Sequence, residues 1–155
     1  MSRSTKSAGK GRKLSNFLCF AVYSANLAFG RAYKPILDRL GLTYTQYIAL
    51  VALADEDDQT VGLLGEKLFL ESNTLTPILK KLESLGYLRR KRDPADERQV
   101  RLSLTPAGRR LVDKDPGASL FDATGLGKDF FAVQKSVIRL RDNLLRATQV
   151  EPVKK

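Results

Sequence analysis

The fold is decided by residues 61–104, which read VGLLGEKLFLESNTLTPILKKLESLGYLRRKRDPADERQVRLSL. Residues 61–69 have the pattern of a short helix, and a turn separates them from a second helix predicted over residues 73–85. One face of this second helix is apolar, because leucine and isoleucine recur at steps of three and four. These positions are Leu75, Ile78, Leu79, Leu82 and Leu85. Gly86 is expected to end the helix, since glycine readily adopts the left-handed conformation found there.

A basic hairpin is predicted directly after this helix. Residues 87–92 are extended in pattern, residues 93–97 are rich in turn formers, and residues 99–104 alternate apolar and polar side chains. The inward face of that alternation carries Val100, Leu102 and Leu104. Two strands are too few to form a sheet core, so we expect a mainly α chain with a small two-stranded wing.

Two helices are predicted upstream of this segment. Apolar residues recur at helical spacing over residues 14–40, where Pro35 is expected to kink or loosen the helix near its end. A shorter helix is predicted over residues 45–54, with Thr45 as its N-cap. The acidic residues 55–58 that follow are expected to form a solvated turn.

Further helices are predicted downstream. Thr105 and Pro106 have the pattern of an N-cap followed by proline at the first helical position. Residues 115–117, Asp-Pro-Gly, should break that helix, and a final helix is predicted over residues 128–147. The order of elements is that of a winged helix-turn-helix flanked by helices. Because the flanking helices have apolar faces that a small winged core cannot cover, we expect a homodimer.

The expected organisation is a short tail followed by one domain. Residues 1–13 form a basic, Ser/Gly/Lys-rich tail that we expect to be disordered, and residues 14–155 form a single domain. Within the domain we expect dimerisation helices at residues 14–40 and 106–147, and a winged lobe at residues 45–104. No apolar run reaches about 18 residues, and no signal-peptide cleavage site follows the tail. We therefore expect no membrane association and a cytoplasmic location.

The composition indicates the kind of partner and excludes several kinds of catalytic site. The net charge of +10 calls for an anionic partner, with nucleic acid first and a membrane surface second. The absence of His excludes a Ser-His-Asp triad and an ordinary zinc enzyme site, so no catalytic residue, metal or cofactor is expected. The single cysteine, Cys19, excludes an internal disulfide. Cys19 is then a buried small hydrophobe, a reactive thiol or an intermolecular partner.

The helix-turn-helix pattern and the hairpin together indicate DNA binding. In such modules the second helix lies in the major groove, and the hairpin follows the phosphates or reaches the minor groove. The cations of the hairpin are Arg89, Arg90, Lys91, Arg92 and Arg98. Each feature alone would also fit a solvated charged hairpin or an ordinary helix start. Their order and the net charge favour double-stranded DNA as the partner.

Residues 75–111, LTPILKKLESLGYLRRKRDPADERQVRLSLTPAGRRL, resemble the core signature of MarR-family repressors, and the similarity runs from about residue 14 to residue 147. The resemblance implies a homodimer that binds a pseudo-palindromic operator. It also implies that Asp96 and Arg98 form the acidic-x-Arg pair of the wing tip, with Arg98 entering the minor groove. The residues expected to contact DNA are Ser72, Asn73, Thr74, Thr76, Pro77, Lys80, Arg89, Arg92, Asp96 and Arg98.

Residues 16–47, NFLCFAVYSANLAFGRAYKPILDRLGLTYTQY, resemble the organic hydroperoxide resistance regulators within that family. The resemblance implies a repressor that releases its operator when an organic hydroperoxide oxidises Cys19, which is surrounded by Tyr23, Tyr33 and Tyr44. This chemistry is reasonable, because the thiolate is the reactive form and phenol donors stabilise it. Cys19 is expected past the first helical turn, where the helix dipole helps little.

Helix geometry restricts which tyrosines can serve the thiol. Tyr33 follows Cys19 by 14 residues, which is about 21 Å along one helix, whereas a hydrogen bond needs about 3 Å. Tyr23 is one turn from Cys19 and can be its neighbour. If Tyr33 serves the sensor, it must come from a partner subunit whose first helix packs antiparallel.

Some regulators of this group carry a second, resolving cysteine, which this chain lacks. Oxidised Cys19 would then have to condense with a small cellular thiol or a backbone nitrogen, or over-oxidise.

Two other functions are open at this point. The main alternative is a MarR-type regulator released by a small aromatic ligand, with Cys19 structural. The third is a thiol peroxidase, which we do not expect because no helix start or nearby arginine pattern would hold a thiolate for turnover.

Overall fold

The computed structural model describes residues 13–149. Its helices are α1 (Leu18–Asp38), α2 (Tyr44–Asp55), α3 (Val61–Leu68), α4 (Ser72–Ser84), α5 (Pro106–Asp113), α6 (Ser119–Ala123) and α7 (Phe130–Gln149). Its strands are β1 (Gln59–Thr60), β2 (Leu88–Arg92) and β3 (Val100–Leu104), and 3-10 turns cover Leu14–Asn16 and Gly127–Asp129. The chain divides into two compact units, one up to Val112 and one from Asp113 onward. No helix among the described residues is long and apolar enough to cross a membrane.

The core of the first unit is built from leucines of its helices and sheet. The predicted apolar stripe is confirmed on α4, where Leu75, Leu79 and Leu82 are buried. Leu85 departs from the stripe and is 39% exposed, because the helix has ended and Leu85 is already its C-cap. Gly86 then has a φ of +80°, as predicted for a left-handed helix end. Each buried leucine contributes about 1.5–3 kcal/mol, so this face holds α4 onto the lobe.

The wing belongs to a three-stranded antiparallel sheet with the strand order β1-β3-β2. β2 and β3 form the predicted hairpin, with Leu88 opposite Leu104. The two-stranded prediction omitted β1, because a strand of two polar residues shows no alternating pattern. Gln59 of β1 is only 2% exposed, and its Nε2 atom donates to the carbonyl of Ala52 at 3.1 Å.

The acidic turn after α2 is more than the solvated turn that the sequence predicts. Asp57 accepts a hydrogen bond from the backbone N of Leu104 at 3.0 Å and pairs with Arg109 at 3.5 Å. Asp58 pairs with Arg101 at 2.9 Å and adopts a left-handed φ of +54°. Two of these partners lie 43 and 47 residues further along the chain, so local composition could not reveal them. The turn therefore anchors β3 to the end of α2.

The helix starts show one correction and one confirmation. α2 is capped by Thr43 and not by Thr45, because Thr43 forms a capping box with Gln46 while Thr45 lies inside the helix. Thr105 caps α5 as predicted, and its Oγ1 atom accepts from the backbone N of Gly108 at 3.1 Å. α1 continues past Pro35 to its end at Asp38.

The second unit contains α6 and α7. The predicted interruption after α5 is confirmed, but the short helix α6 was not predicted. α7 begins at Phe130 and not at residue 128, because Gly127–Asp129 form a 3-10 turn. The ring of Phe121 packs against that of Phe130, with centroids 4.5 Å apart. No residue of α7 is buried among the described residues.

Candidate nucleic-acid interface and thiol site

The predicted DNA-contacting residues of α4 lie mainly on its exposed face. Glu71 is the N-cap, so the polar segment that follows it forms the first turn of the helix. Thr76 is half-buried, and its hydroxyl donates to the carbonyl of Ser72 at 2.7 Å. The exposed members of the set are Ser72, Asn73, Thr74, Pro77 and Lys80. α4 thus presents short hydrogen-bonding side chains at its N-terminal end, with a cation behind them.

The wing tip brings together the predicted pair of Asp96 and Arg98. The Nε and backbone N atoms of Arg98 donate to Oδ1 of Asp96 at 3.0 and 3.1 Å. The side-chain hydrogen bond from Arg98 lowers the pKa of Asp96 below its ordinary value. The Arg98 side chain is nevertheless 91% exposed. Its guanidinium therefore has a defined orientation and stays open to a partner.

The cations of β2 fall into two groups. Arg89, Lys91 and Arg92 are exposed, and within residues 13–149 they form no ion pair. Arg90 differs, because its Nε and Nη2 atoms donate to Oε1 of Glu83 at 3.2 and 3.0 Å. The sequence prediction included Arg90 among the cations of the hairpin and did not anticipate its pairing with Glu83. The signal that it missed is the carboxylate seven residues earlier, at the end of α4.

Cys19 lies in the first turn of α1, which corrects the prediction that it lies beyond that turn. The helix begins at Leu18 and not at residue 14, because Phe17 is extended and Leu14–Asn16 form a separate 3-10 turn. The thiol is exposed. Backbone N–H groups at this end of a helix lack helical acceptors and carry partial positive charge. Cys19 therefore lies closer to these N–H groups than the sequence suggested.

The surroundings of Cys19 are apolar and aromatic. Tyr23 follows it by one helical turn, is 58% exposed, and has its ring centroid 6.3 Å from that of Phe20. Among residues 13–149, no side chain forms a hydrogen bond with the sulfur of Cys19. The exposed apolar residues next to the thiol are Phe17, Leu18 and Phe20. This arrangement can hold the hydrocarbon part of a small molecule, or the apolar face of another helix, against the sulfur.

The structure separates the predicted sensor residues into two groups along α1. The ring of Tyr33 packs against those of Tyr44 and Tyr47, with centroids 5.0 and 6.0 Å apart. Cys19 lies 14 residues earlier in the same helix, which is about 21 Å away. Within one chain, only Tyr23 can approach the sulfur. The prediction omitted Tyr47, although its three-residue spacing from Tyr44 places both on one helix face.

The helix-turn-helix of α3 and α4, the basic β2–β3 wing and the flanking helices define a winged-helix transcription regulator of the MarR type. The sequence profile of the family described as transcriptional regulator SarA/Rot matches residues 31–114. The chain belongs to this family of DNA-binding regulators. It is a regulator and not an enzyme, so the thiol peroxidase alternative is set aside.

Individual relatives agree with this assignment. The organic hydroperoxide resistance transcriptional regulator of Bacillus subtilis (strain 168) is 41% identical over 135 residues, covering 85% of this chain and 92% of that protein. The HTH-type transcriptional regulator TtmR of Methylorubrum extorquens (strain PA1) is 52% identical over 103 residues, covering 66% of this chain and 53% of that protein. The structure of reduced AbfR, a Staphylococcus epidermidis protein, bound to DNA has a TM-score of 0.74 at 32% identity, covering 87% of this chain and 94% of that one. The predicted family resemblance is confirmed.

Proposed function

We propose that this chain is a homodimeric repressor that senses organic hydroperoxides through Cys19 and releases its operator once Cys19 is oxidised. One observation carries the proposal. The only cysteine is exposed in the first turn of α1, in a chain 41% identical to an organic hydroperoxide resistance regulator. Partly exposed thiols at helix N-termini are those that react as thiolates. A repressor of chromosomal genes would act in the cytoplasm.

The reaction at Cys19 is a two-electron oxidation. The thiolate attacks the outer oxygen of the hydroperoxide, an S–O bond forms as the O–O bond breaks, and the leaving alkoxide takes up a proton to become an alcohol. Cysteine is left as a sulfenic acid. The apolar rim of Phe17, Leu18 and Phe20 favours an alkyl or lipid hydroperoxide over hydrogen peroxide, because it can contact hydrocarbon. With no second cysteine in the chain, a small cellular thiol would then condense with the sulfenic acid to form a mixed disulfide.

The homodimer is supported by apolar surface that one chain leaves exposed. On α1 this surface includes Leu18, Val22, Leu27 and Phe29, and on α7 it includes Phe131, Val137, Ile138, Leu144 and Leu145. Extended apolar surface of this kind marks an interaction site. We therefore assign residues 14–40 and 106–147 to dimerisation and residues 45–104 to the DNA-binding lobe. If the two α1 helices pack antiparallel, the partner subunit's Tyr33 and the partner subunit's Tyr44 would approach Cys19.

The proposed operator contacts come from α4 in the major groove and from the wing in the minor groove. They are Ser72, Asn73, Thr74, Thr76, Pro77, Lys80, Arg89, Arg92, Asp96 and Arg98. Two lobes related by a two-fold axis would read the halves of a pseudo-palindrome. The thiol can influence the lobe because α1 ends inside its core, where Leu37 is buried.

The test compares wild type with Cys19→Ser on an operator that reduced wild-type protein selects from random duplexes. Wild type should lose affinity by about tenfold or more on treatment with cumene hydroperoxide. Oxidation in the presence of a small thiol should make that loss reversible by reductant. Cys19→Ser should bind equally tightly and ignore the oxidant, because serine keeps the size of the thiol without its redox chemistry. Dissociation of the serine variant on oxidation would place the sensor elsewhere.

A small aromatic ligand is the second candidate inducer, and Cys19 would then be structural. The observation that favours it is the cluster of Tyr33, Tyr44 and Tyr47, in which Tyr44 is 44% exposed. An aromatic ring could stack on that exposed face. Release of the operator by a phenolic carboxylate, equal in wild type and Cys19→Ser and absent in Tyr44→Ala, would favour this candidate.

A further inference from the structure

One carboxylate joins α4 to the wing. Glu83 lies in the last turn of α4 and accepts three hydrogen bonds from Arg90, the central residue of β2. The guanidinium donates to Oε1 from Nε at 3.2 Å and from Nη2 at 3.0 Å, and the backbone N donates to Oε2 at 3.0 Å. Charge-assisted bonds of this forked kind restrict orientation as well as distance. The contact therefore links the middle of β2 to the last turn of α4.

Other carboxylates anchor the opposite side of the sheet. Asp58 binds Arg101 on β3, and Asp57 accepts from the backbone of Leu104. Both contacts connect β3 to the turn after α2 and do not involve α4. Glu83 differs because it connects the hairpin to α4 itself. The side chains of Glu83 and Arg90 are 38% and 28% exposed, so the pair is partly shielded from solvent.

We propose that Glu83 is a positioning residue for operator discrimination. By holding β2 against α4, it sets the position of the wing tip relative to the exposed face of the helix. Major-groove and minor-groove contacts can then be made on the same DNA site. This inference rests on the DNA contacts proposed above for α4 and Arg98.

Charge and geometry predict opposite effects when the carboxylate is removed. An anion among the cations of a DNA-binding segment weakens attraction to any phosphate backbone. Glu83→Gln should therefore bind unrelated DNA slightly more tightly than wild type, with a salt slope steeper by about one unit per subunit because Arg90 is released. Its affinity for the operator should fall, because the wing is no longer fixed. The ratio of operator to unrelated affinity should drop about tenfold.

Glu97→Gln is the matched control. Glu97 is exposed in the turn of the same hairpin and forms no ion pair among the described residues, so its substitution makes the same charge change without touching α4. Affinities are measured by fluorescence anisotropy on the selected operator and on a scrambled duplex of equal length. A drop in discrimination confined to Glu83→Gln supports the proposal. Equal gains on both duplexes in both variants, or no change in Glu83→Gln, would overturn it.

Two further measurements keep the proposal testable if Glu83→Gln folds poorly or wild type fails to discriminate. Arg90→Lys keeps the charge and the backbone donor but cannot form the forked contact, so it should also lose discrimination, and unchanged discrimination would refute the role. Without DNA, amide hydrogen exchange over residues 88–92 should be several-fold faster in Glu83→Gln than in Glu97→Gln. Equal exchange would refute the anchoring contact. A wild-type chain with no operator preference would instead refute the proposed DNA contacts.

Discussion

The DNA-binding end of the first unit and the thiol-bearing end of α1 differ in how their surfaces are completed. At the wing, two arginines are paired with carboxylates of the same chain, Arg98 with Asp96 and Arg90 with Glu83. Around Cys19 the surface is apolar and exposed, and among the described residues no side chain hydrogen-bonds to the sulfur. The first surface has its geometry set within one chain. For the second surface, the proposed sensor would take further phenol donors from another subunit.

This difference indicates which properties depend on one chain and which depend on the proposed dimer. Hydrogen bonds between neighbouring elements can orient a guanidinium in a single subunit. A long helix cannot bring its own ends together, because its length is set by its rise per residue. We therefore expect DNA recognition to respond to changes within one chain, and peroxide sensing to respond to changes across two.

The largest difference between the two surfaces should appear in how strongly each responds to salt concentration. If the dimer neutralises about 6–10 phosphates, raising salt from about 50 to about 200 mM should weaken operator binding by about 10³- to 10⁵-fold. The rate at which Cys19 reacts with an uncharged hydroperoxide should stay nearly constant, because its rim is apolar. Anisotropy titrations and stopped-flow thiol assays would measure the two responses. A shallow salt dependence of DNA binding would mean that the wing does not contact phosphates.

The next effect is that of Arg98→Ala on the operator. The variant loses one groove contact per subunit, which should cost about 1–3 kcal/mol for each half-site, or about 5- to 150-fold in affinity for each. The melting temperature should be unchanged, because the side chain is 91% exposed. Asp96→Asn is the graded control, since it leaves the guanidinium in place but weakens its orientation, and it should give an intermediate loss. Unaltered affinity of Arg98→Ala would remove the wing tip from the interface.

A smaller effect, about tenfold in rate, is expected from Tyr33→Phe, because one hydrogen bond to the thiolate is lost. The decisive sample is a heterodimer of Cys19→Ser and Tyr33→Phe chains. Its only cysteine lies on the Tyr33→Phe chain and faces an intact tyrosine on the other. Sensing across the dimer predicts a wild-type rate in the heterodimer and a slow rate in the Tyr33→Phe homodimer. Equally slow reaction in both dimers would contradict the proposal that Tyr33 of one subunit serves Cys19 of the other.

The smallest expected effect is the pH dependence of the stability that the Glu83–Arg90 pair contributes. The hydrogen bond from Arg90 lowers the pKa of Glu83 below its ordinary value of 4.5. The pair therefore stabilises the fold fully above that pH, and its contribution is lost as acid protonates the carboxylate. At neutral pH, Glu83→Gln should be less stable than wild type by up to about 1 kcal/mol, or roughly 2–4 °C in melting temperature. The gap should narrow as the pH falls below that ordinary value, and a gap that persists in acid would mean that the charge is not involved.

Much of the DNA-binding end was predictable because its signals are local. The apolar stripe of α4 and the left-handed Gly86 depend on residues close together in sequence, and the Asp96–Arg98 pair was implied by the family resemblance. Strand β1 and the anchoring role of Asp57 were not predictable, because their partners lie more than forty residues away. The start of α1 was misplaced because an apolar pattern continues through a 3-10 turn as well as through a helix.

The sequence by itself determined the order of the elements, the basic wing and the presence of one cysteine among tyrosines. Hydrophobic period and turn chemistry act over a few residues and leave a readable pattern. Only the tertiary structure decided that Arg90 is held by Glu83, and that Tyr33 packs against Tyr44 and Tyr47. Whether a charge is free depends on which side chains meet when separate elements pack, as α4 and β2 do here. No local sequence pattern encodes the distance between two such side chains.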